Sequence, residues 1–289
     1  MHGLRNAAPR LFFAVLVCLV SAGLVAGTQA RQVQQAQKPG QQTQKPKYEP
    51  EVGQEGKDVV WVPTSETLVQ KMLDIAKVTP GDYLIDLGSG DGRTVIAAAK
   101  RGATALGVEF NPDMVQLSRD NAAKEGVSGR ATFVHGDLFE ADLSKATVIT
   151  MFLLPDINMK LRPKLLELEP GTRIVSNSFN MEDWIPDAQE TVEEGCQSWC
   201  TALLWIVPAK VGGLWKLNNG TLALTQQFQM LSGTITVGST SMPIAEGRLR
   251  GTEISFTADG TRYTGKVNGS RITGTTTNGT TNRTWSASR

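Results

Sequence analysis

The stretch from Tyr83 to Gly92, YLIDLGSGDG, constrains the fold of this chain most, because an apolar run that carries an acid leads into a glycine-rich turn. Residues 83–87 follow the turn signal Pro80-Gly81-Asp82 and have the length and apolar character of a buried parallel strand. Glycines at 88, 90 and 92 let the backbone turn sharply and approach a ligand closely. Residues 94–100 predict a helix whose free first amides favour a carboxylate or phosphate. The segment therefore predicts a strand–loop–helix unit with a ligand at the loop.

Two further acids are placed in the same way as Asp86, at the ends of apolar runs. Glu109 ends a second run, where an acid can accept hydrogen bonds from ribose hydroxyls. Asp137 follows a third run, where it can accept from the exocyclic amine of adenine, with Leu138 and Phe139 beside it to cover the ring. Open α/β sheets bind ligands at the carboxyl ends of successive strands. The three acids together predict a nucleoside cofactor.

The spacing of the glycines indicates which nucleoside to expect. A dinucleotide fingerprint reads G-x-G-x-x-G and leaves room for a pyrophosphate over the helix start. Here the pattern is G-x-G-x-G, and Arg93 stands where the third glycine would be. The anion at Asp86 would repel a pyrophosphate but suits the cationic amino-acid end of S-adenosyl-L-methionine. The pattern therefore favours S-adenosyl-L-methionine as the cofactor.

These motifs carry a resemblance to a known family. Residues 59 to about 208 resemble the class I S-adenosylmethionine-dependent methyltransferases, whose first motif is similar to DLGSGDG at residues 86–92. WVPT at 61–64, GVEFNP at 107–112 and the segment 179–186 are similar to one branch of that class. This branch is the protein-lysine methyltransferases related to the enzyme that modifies the mitochondrial ATP synthase c subunit. The resemblance implies an enzyme that methylates a protein lysine.

The resemblance also implies positions around the cofactor. Pro63 and Thr64 would lie near its methionine end, and residues 152–155 would face the methyl group. The chain departs from many amino-methylating relatives at Leu153-Leu154-Pro155, where they carry Asn or Asp, then Pro-Pro and an aromatic residue. This departure weighs against nucleobase amines and leaves the acceptor open. The residues expected to bind the cofactor are Pro63, Thr64, Asp86, Gly88, Ser89, Gly90, Gly92, Glu109, Phe110, Asp137, Leu138 and Phe152.

Three hypotheses for the function therefore stay open: a protein-lysine methyltransferase, a methyltransferase for a small molecule or lipid, and a binding protein that has kept the fold without catalysis. The net charge of +1 predicts no strong attraction to nucleic acid. Phe152, Phe179 and Trp184 are candidates to line an apolar acceptor channel, although each is also a plausible core residue. No catalytic acid or base is assigned, and no metal is expected.

Strand and helix signals alternate after residue 63, which is typical of β-α units in a mostly parallel sheet. The predicted fold class is α/β: a Rossmann-like class I methyltransferase sheet, followed by a small antiparallel all-β C-terminal domain. Predicted helices cover residues 64–77, 94–100, 112–124 and 159–168, and predicted strands cover 83–87, 105–108, 131–135, 148–154 and 173–178. Asn111 is expected to cap the third of these helices, with Pro112 at its first position. Residues 190–194 and 201–207 predict a closing antiparallel hairpin.

After Pro208 the composition changes to Gly, Thr, Ser and Asn with alternating apolar positions, which predicts a small meander or partial barrel. Asp259-Gly260 and Asn268-Gly269 are typical hairpin turns. A packing role and a substrate- or envelope-binding role for this segment both stay open. Its predicted strands cover residues 222–228, 231–237, 247–249, 253–256, 262–267, 271–275 and 283–286.

The N-terminus has the pattern of a secretory signal: Arg5 and Arg10, an apolar run at 11–25, and small residues up to Ala30. An uncleaved anchor is the alternative. Residues 31–57 are rich in Gln, Lys and Pro and predict a disordered linker. The predicted domains are thus 1–30, 31–57, the methyltransferase domain 58–210 and the β-rich domain 211–289. The expected location is exported or membrane-anchored.

Cys196 and Cys200 are the two cysteines outside the apolar N-terminal run. In an oxidising compartment this spacing fits a disulfide across a tight turn. On a helix the same spacing would place two reduced thiols on one face. Both interpretations stay open at the level of the sequence.

Overall fold

The computed structural model describes residues 48–289, so the predicted signal segment and most of the predicted linker lie outside the described residues. Within the described range, no helix has the length and apolar character needed to cross a membrane. Residues 48–57, which the sequence assigns to the linker, instead form contacts. Gln54 Nε2 donates to Tyr48 Oη at 2.7 Å, and the backbones of Gly53 and Trp61 are hydrogen-bonded.

The first part of the chain is a seven-stranded sheet with helices packed against it. Its elements are α1 (Glu66–Ile75), β1 (Tyr83–Leu87), α2 (Arg93–Lys100), β2 (Thr104–Glu109), α3 (Pro112–Lys124), β3 (Ala131–His135), β4 (Val148–Met151), α4 (Pro155–Leu165), β5 (Arg173–Asn177), β6 (Ala188–Thr191) and β7 (Thr201–Ile206). The strand order is β3-β2-β1-β4-β5-β7-β6. The first five strands of that order are parallel, whereas β7 pairs antiparallel with β5 and with β6. The predicted methyltransferase sheet and its closing hairpin are confirmed.

The register brings the strand-end acids to one edge of this sheet. Asp86 on β1 pairs with Gly107 on β2 and with Thr150 on β4, and Glu109 pairs with His135 at the end of β3. The central strands are buried on both faces, as parallel strands covered by helices should be. Their apolar side chains therefore fix the register that sets the acids side by side.

One boundary differs from the prediction in a way that matters for the site. β4 ends at Met151 rather than at residue 154, and α4 begins at Pro155 rather than at residue 159. Pro155 takes the first helical position, where its missing N–H costs nothing, and Leu154 before it is extended with ψ 154°. Residues 152–154 consequently form a loop over the carboxyl edge of the sheet.

The second part of the chain is a closed antiparallel barrel. Its strands are β8 (Gly213–Leu217), β9 (Gly220–Gln227), β10 (Met230–Val237), β11 (Thr240–Pro243), β12 (Ala245–Arg250), β13 (Glu253–Ala258), β14 (Thr261–Asn268), β15 (Arg271–Asn278) and β16 (Thr281–Ser288). The order β11-β10-β12-β13-β14-β15-β16-β8-β9 is closed by pairing of β9 with β10. This confirms the all-β segment, although the sequence missed β8 and β11.

Glycine is required where strands of the barrel approach each other most closely. A Cβ on Gly233 would lie 1.9 Å from the Ala223 carbonyl oxygen, and one on Gly274 would lie 1.9 Å from the Thr264 carbonyl oxygen. The interior is filled by apolar side chains, with Trp215 fully buried among them. The recurring glycines of this segment thus permit closure around a packed core.

The barrel packs against the methyltransferase sheet through an aromatic contact. The Phe228 ring stacks on Trp184 at a centroid distance of 5.8 Å, and Gln229 Nε2 donates to the Ile185 carbonyl at 2.7 Å. Trp184 is fully buried and also contacts Trp205. The suggestion that Trp184 lines an acceptor channel is therefore wrong, because this ring is a core residue between the two sheets.

We expect Phe228→Ala to lower the free energy of unfolding by about 2 kcal/mol, since it removes a large, half-buried ring from this contact. Met230→Ala on the same hairpin is the matched control: Met230 is 51% exposed, so its loss should change stability by less than about 0.5 kcal/mol. Urea denaturation of both variants measures the difference. Equal stabilities would show that the aromatic contact does not hold the two sheets together.

Candidate active site

The loop between β1 and α2 forms the floor of the site. Gly88 and Gly90 have positive φ angles of 75° and 54°, which glycine adopts without the strain of a side chain. A Cβ on Gly90 would lie 2.6 Å from Trp61 Nε1, so only glycine admits the approach of that ring. The turn therefore brings the backbone of residues 88–90 to the wall of a cavity.

Glu109 joins this loop to the loop after β2. Its Oε2 accepts from the Gly90 amide and its Oε1 accepts from the Asn111 amide, each at 2.9 Å. Asn111 Oδ1 in turn accepts from the Asp113 and Met114 amides and caps α3, as predicted. Each carboxylate oxygen keeps a further lone pair, which leaves Glu109 able to accept hydrogen bonds from a ribose.

Asp86 is a buried acid with no basic partner among the described residues. Its Oδ1 accepts from Thr150 Oγ1 at 2.6 Å. The pKa of Asp86 is raised to about 7, mainly by burial and also by the negative charges of Glu109 and Asp91, against the lowering effect of the Thr150 hydroxyl. The carboxyl group is thus poised to ionise when a cationic ligand reaches it.

Ser89 offers an unused polar atom at the same loop. Its Oγ is buried and has no hydrogen-bond partner within the described residues. Gly107 on β2 lies directly against it, since a Cβ there would be 2.5 Å from Ser89 Oγ. Buried polar atoms are normally hydrogen-bonded. A buried hydroxyl without a partner, next to a glycine, is therefore a group to which a polar ligand would hydrogen-bond.

Asp137 is held by the segment before α1. Lys57 forms an ion pair with Asp137, and its Nζ also lies 4.9 Å from the centre of the Phe110 ring. The hydrogen bond from Lys57 and that from the Phe139 amide hold the pKa of Asp137 below its ordinary value. The predicted adenine acceptor therefore lies at the cavity, with a lysine amine beside it that the sequence did not reveal.

A cavity of about 220 Å³ joins these groups. The predicted residues that line it are Pro63, Thr64, Asp86, Gly88, Ser89, Gly90, Glu109, Phe110, Asp137, Leu138 and Phe152. Gly92 lies outside the lining at the N-cap of α2, where a Cβ would be 2.8 Å from the Phe133 ring. Packing against Phe133 therefore explains why residue 92 is a glycine.

Thr64 is fixed by two neighbours at the cavity wall. Arg93 Nη1 donates to the Thr64 carbonyl at 2.8 Å, and Asn177 Nδ2 donates to Thr64 Oγ1 at 3.2 Å. The rest of the Arg93 guanidinium is held by Asp91 at 2.6 Å. The arginine that interrupts the glycine pattern therefore braces the start of α1 and does not project toward a phosphate.

Three aromatic rings line the other end of the cavity. Phe152 stacks on Phe179 and packs at a tilt against Trp199, with centroid distances of 5.9 Å in both contacts. Trp199 belongs to the loop between β6 and β7, in which Cys196 and Cys200 form a disulfide. The disulfide interpretation of this cysteine pair is the one the structure supports, and Trp199 is a site residue that the sequence did not reveal.

Comparison with known proteins identifies the family. The family model of the ANTKMT methyltransferase domain matches residues 86–188. A protein-lysine N-methyltransferase of Saccharolobus islandicus (strain REY15A) is 49% identical over 140 residues, which cover 47% of this chain and 87% of that protein. The chain belongs to this methyltransferase family. The predicted family, the enzyme class and S-adenosyl-L-methionine as the cofactor are thereby confirmed.

Other relatives differ in coverage and in their described acceptors. The human lysine N-methyltransferase of the ATP synthase c subunit is 39% identical over 128 residues, 44% of this chain, and the chain spans 54% of its length. A structure of an RNA methyltransferase from Salinibacter ruber with S-adenosyl-L-homocysteine is 47% identical, with a TM-score of 0.49, and covers 52% of this chain and 96% of its own.

The residues of the cavity fit S-adenosyl-L-methionine. The free Ser89 hydroxyl and the glycine turn suit its polar groups, and the remaining lone pairs of Glu109 suit its ribose. Asp86 is a buried acid that lacks a cation, and the cofactor carries an ammonium and a sulfonium. Asp86 is therefore the cavity acid that would offset these positive charges.

We expect the affinity for S-adenosyl-L-methionine to rise about tenfold between pH 6 and pH 8, since Asp86 with a pKa of about 7 becomes charged in this window. Asp86→Asn should bind weakly at both pH values and lose most of this dependence. Calorimetric titrations across the range measure it.

The same shift has an opposite consequence for the free protein. Folded Asp86 keeps its proton up to about pH 7, whereas the unfolded chain loses it near the ordinary aspartate pKa of 3.8. The free protein should therefore lose stability as the pH rises between these values, and Asp86→Asn should remove that loss. If the free energy of unfolding changes with pH in the same way in wild type and in Asp86→Asn, the assignment of this titration to Asp86 is contradicted.

Proposed function

We propose that this methyltransferase transfers methyl groups to the side-chain amine of a lysine in a protein. The observation that carries the proposal is the wall of three contacting aromatic rings, Phe152, Phe179 and Trp199, that lines the same cavity as the glycine-rich loop. A lysine has a long aliphatic stem that such a wall can contact. The described activity of the Saccharolobus islandicus relative agrees with this acceptor.

The chain supplies position and environment for the reaction rather than an acid or base. S-adenosyl-L-methionine, when bound, would supply an electrophilic methyl group to the neutral Nζ of an acceptor lysine. The apolar wall favours that neutral amine, because desolvation lowers the pKa of a lysine. Phe152 follows β4 directly, so the sheet itself fixes the ring next to the cofactor loop. Alignment by these elements provides the main acceleration.

Labelled cofactor tests the acceptor class. The full chain is incubated with S-adenosyl-L-methionine carrying a labelled methyl group and an extract of the source cells, divided into samples treated with protease or with ribonuclease. We expect the label to be lost after protease treatment, to resist ribonuclease, and to appear as methylated lysine after hydrolysis of the protein band.

Asp86→Ala is the control, since it should weaken cofactor binding and reduce the label in the same band by roughly tenfold, the effect of about 1.5 kcal/mol for a lost charged contact. Label that disappears with ribonuclease, or that partitions into the lipid or small-molecule fraction, would replace the lysine hypothesis with the corresponding acceptor.

The proposal extends to location: the N-terminal segment directs the catalytic part out of the cytosol or anchors it to a membrane. The support is the sequence pattern, with Arg5 and Arg10 before the apolar run at 11–25. The disulfide between Cys196 and Cys200 agrees with an oxidising compartment. Membrane association would follow if the segment stays uncleaved.

A fusion of residues 1–57 to a reporter that is active only outside the cytosol should therefore give a signal. The matched control carries Leu16→Arg, which places a charge inside the apolar run and should abolish the signal. A silent wild-type fusion with an uncleaved cytosolic product would refute the export proposal and leave the lysine acceptor untouched.

A further inference from the structure

We propose that Trp199 determines acceptor specificity and that the Cys196–Cys200 disulfide positions it; the proposal rests on the lysine acceptor argued above. Trp199 lines the cavity next to Phe152, yet 46% of its surface is exposed. A large apolar ring that packs on one side and is open on the other offers a face to a ligand. The ring therefore stands where an acceptor stem would enter.

The backbone at Trp199 shows that this placement is enforced. Its φ angle is 54°, in the left-handed region that is costly for a side chain of this size. The disulfide closes the five-residue loop around it and holds the Cα atoms of Cys196 and Cys200 at 5.8 Å. A strained residue inside a covalent ring indicates a side chain whose direction is fixed.

The loop is also tied to the rest of the domain. Thr67 Oγ1, in the first turn of α1, donates to the Gly195 carbonyl at 2.9 Å. The Val192 amide donates to the Cys200 carbonyl at 2.9 Å, and the Ser178 amide donates to the Thr201 carbonyl at 2.8 Å. These bonds connect one side of the disulfide loop to α1 and the other side to the sheet, so the loop has a defined position at the cavity.

The chemistry explains why an aromatic face is useful there. During transfer the positive charge moves from the cofactor sulfur to the lysine nitrogen, and the product is a methylated ammonium. The faces of Trp and Phe rings attract such cations. Trp199 and Phe152 therefore favour an amine on a slender stem at the point where the charge develops, and they narrow the entrance for bulkier acceptors.

A cofactor analogue tests this without a known protein acceptor. The probe is an adenosyl analogue in which an aminoalkyl chain replaces the transferable methyl group, compared with S-adenosyl-L-homocysteine by calorimetry on the full chain. We expect Trp199→Ala to leave the affinity for S-adenosyl-L-homocysteine unchanged and to reduce the extra affinity of the aminoalkyl probe about three- to fivefold, the size of one cation–π contact.

Two further variants and a control separate position from stability. Trp199→Phe should restore most of the extra affinity, whereas the double variant Cys196→Ser with Cys200→Ser should behave like Trp199→Ala. Leu214→Ala, which removes an apolar side chain from the barrel that is 59% exposed, should change neither affinity. Thermal unfolding of each variant verifies that the fold is kept.

The outcomes distinguish the two levels of the proposal. If Trp199→Ala keeps the full extra affinity for the aminoalkyl probe over S-adenosyl-L-homocysteine, the role of Trp199 is overturned and the lysine acceptor stays in place. If the double cysteine variant keeps this extra affinity, only the positioning of Trp199 by the disulfide is overturned. A plain alkyl analogue of the same length that binds wild type as tightly as the aminoalkyl probe argues against an amine acceptor, and thus against the proposed function and this inference together.

Discussion

The two hydrogen bonds that Glu109 accepts are the interaction on which the site depends. One carboxylate oxygen accepts from the Gly90 amide and the other from the Asn111 amide, so a single side chain joins the loop after β1 to the loop after β2. Both loops start helices, and the parallel register of β1 and β2 brings them within reach. Without Glu109, the Gly90 and Asn111 amides would lose their hydrogen-bond partner, and the two loops would lose the side chain that joins them.

The second constraint is an acid that the protein leaves without a cation. The described basic groups near the cavity are already engaged, since Arg93 is held by Asp91 and the Thr64 carbonyl, and Lys57 pairs with Asp137. Asp86 is left with one hydroxyl donor and a raised pKa. A buried acid in this condition is costly for the fold. It becomes favourable when a cationic ligand arrives, which couples binding of S-adenosyl-L-methionine to ionisation of the protein.

Local sequence patterns predicted well several of the elements that carry the loops of the candidate site. Residues 83–87 and 131–135 were predicted as strands with the bounds they have, because each is a short apolar run closed by turn residues. Asn111 and Pro112 predicted the start of α3 for a similar local reason, a side-chain cap followed by a fixed φ angle.

The aromatic part of the cavity depends on contacts that no local pattern encodes. The apolar run at 148–154 hides the end of β4, because residues 152–154 are as apolar as the strand but have lost their pairing. Trp199 reaches Phe152 only through the fold of the β6–β7 hairpin, whereas Trp184, which looked equivalent in the sequence, is buried against the barrel. The contact of Lys57 with Asp137 joins segments that are distant in the chain.

Calorimetric binding of S-adenosyl-L-homocysteine to Glu109→Gln tests the central claim most directly. Glutamine keeps the size of the side chain but has one acceptor oxygen, so it can satisfy only one of the two loop amides. We predict binding weaker by roughly ten- to a hundredfold, the effect of about 1.5 to 3 kcal/mol for a lost charged hydrogen bond, in a protein that stays folded. Glu125→Gln, which removes a surface ion pair with Lys100, should bind as wild type does. Wild-type affinity in Glu109→Gln would contradict the claim that this carboxylate organises the site.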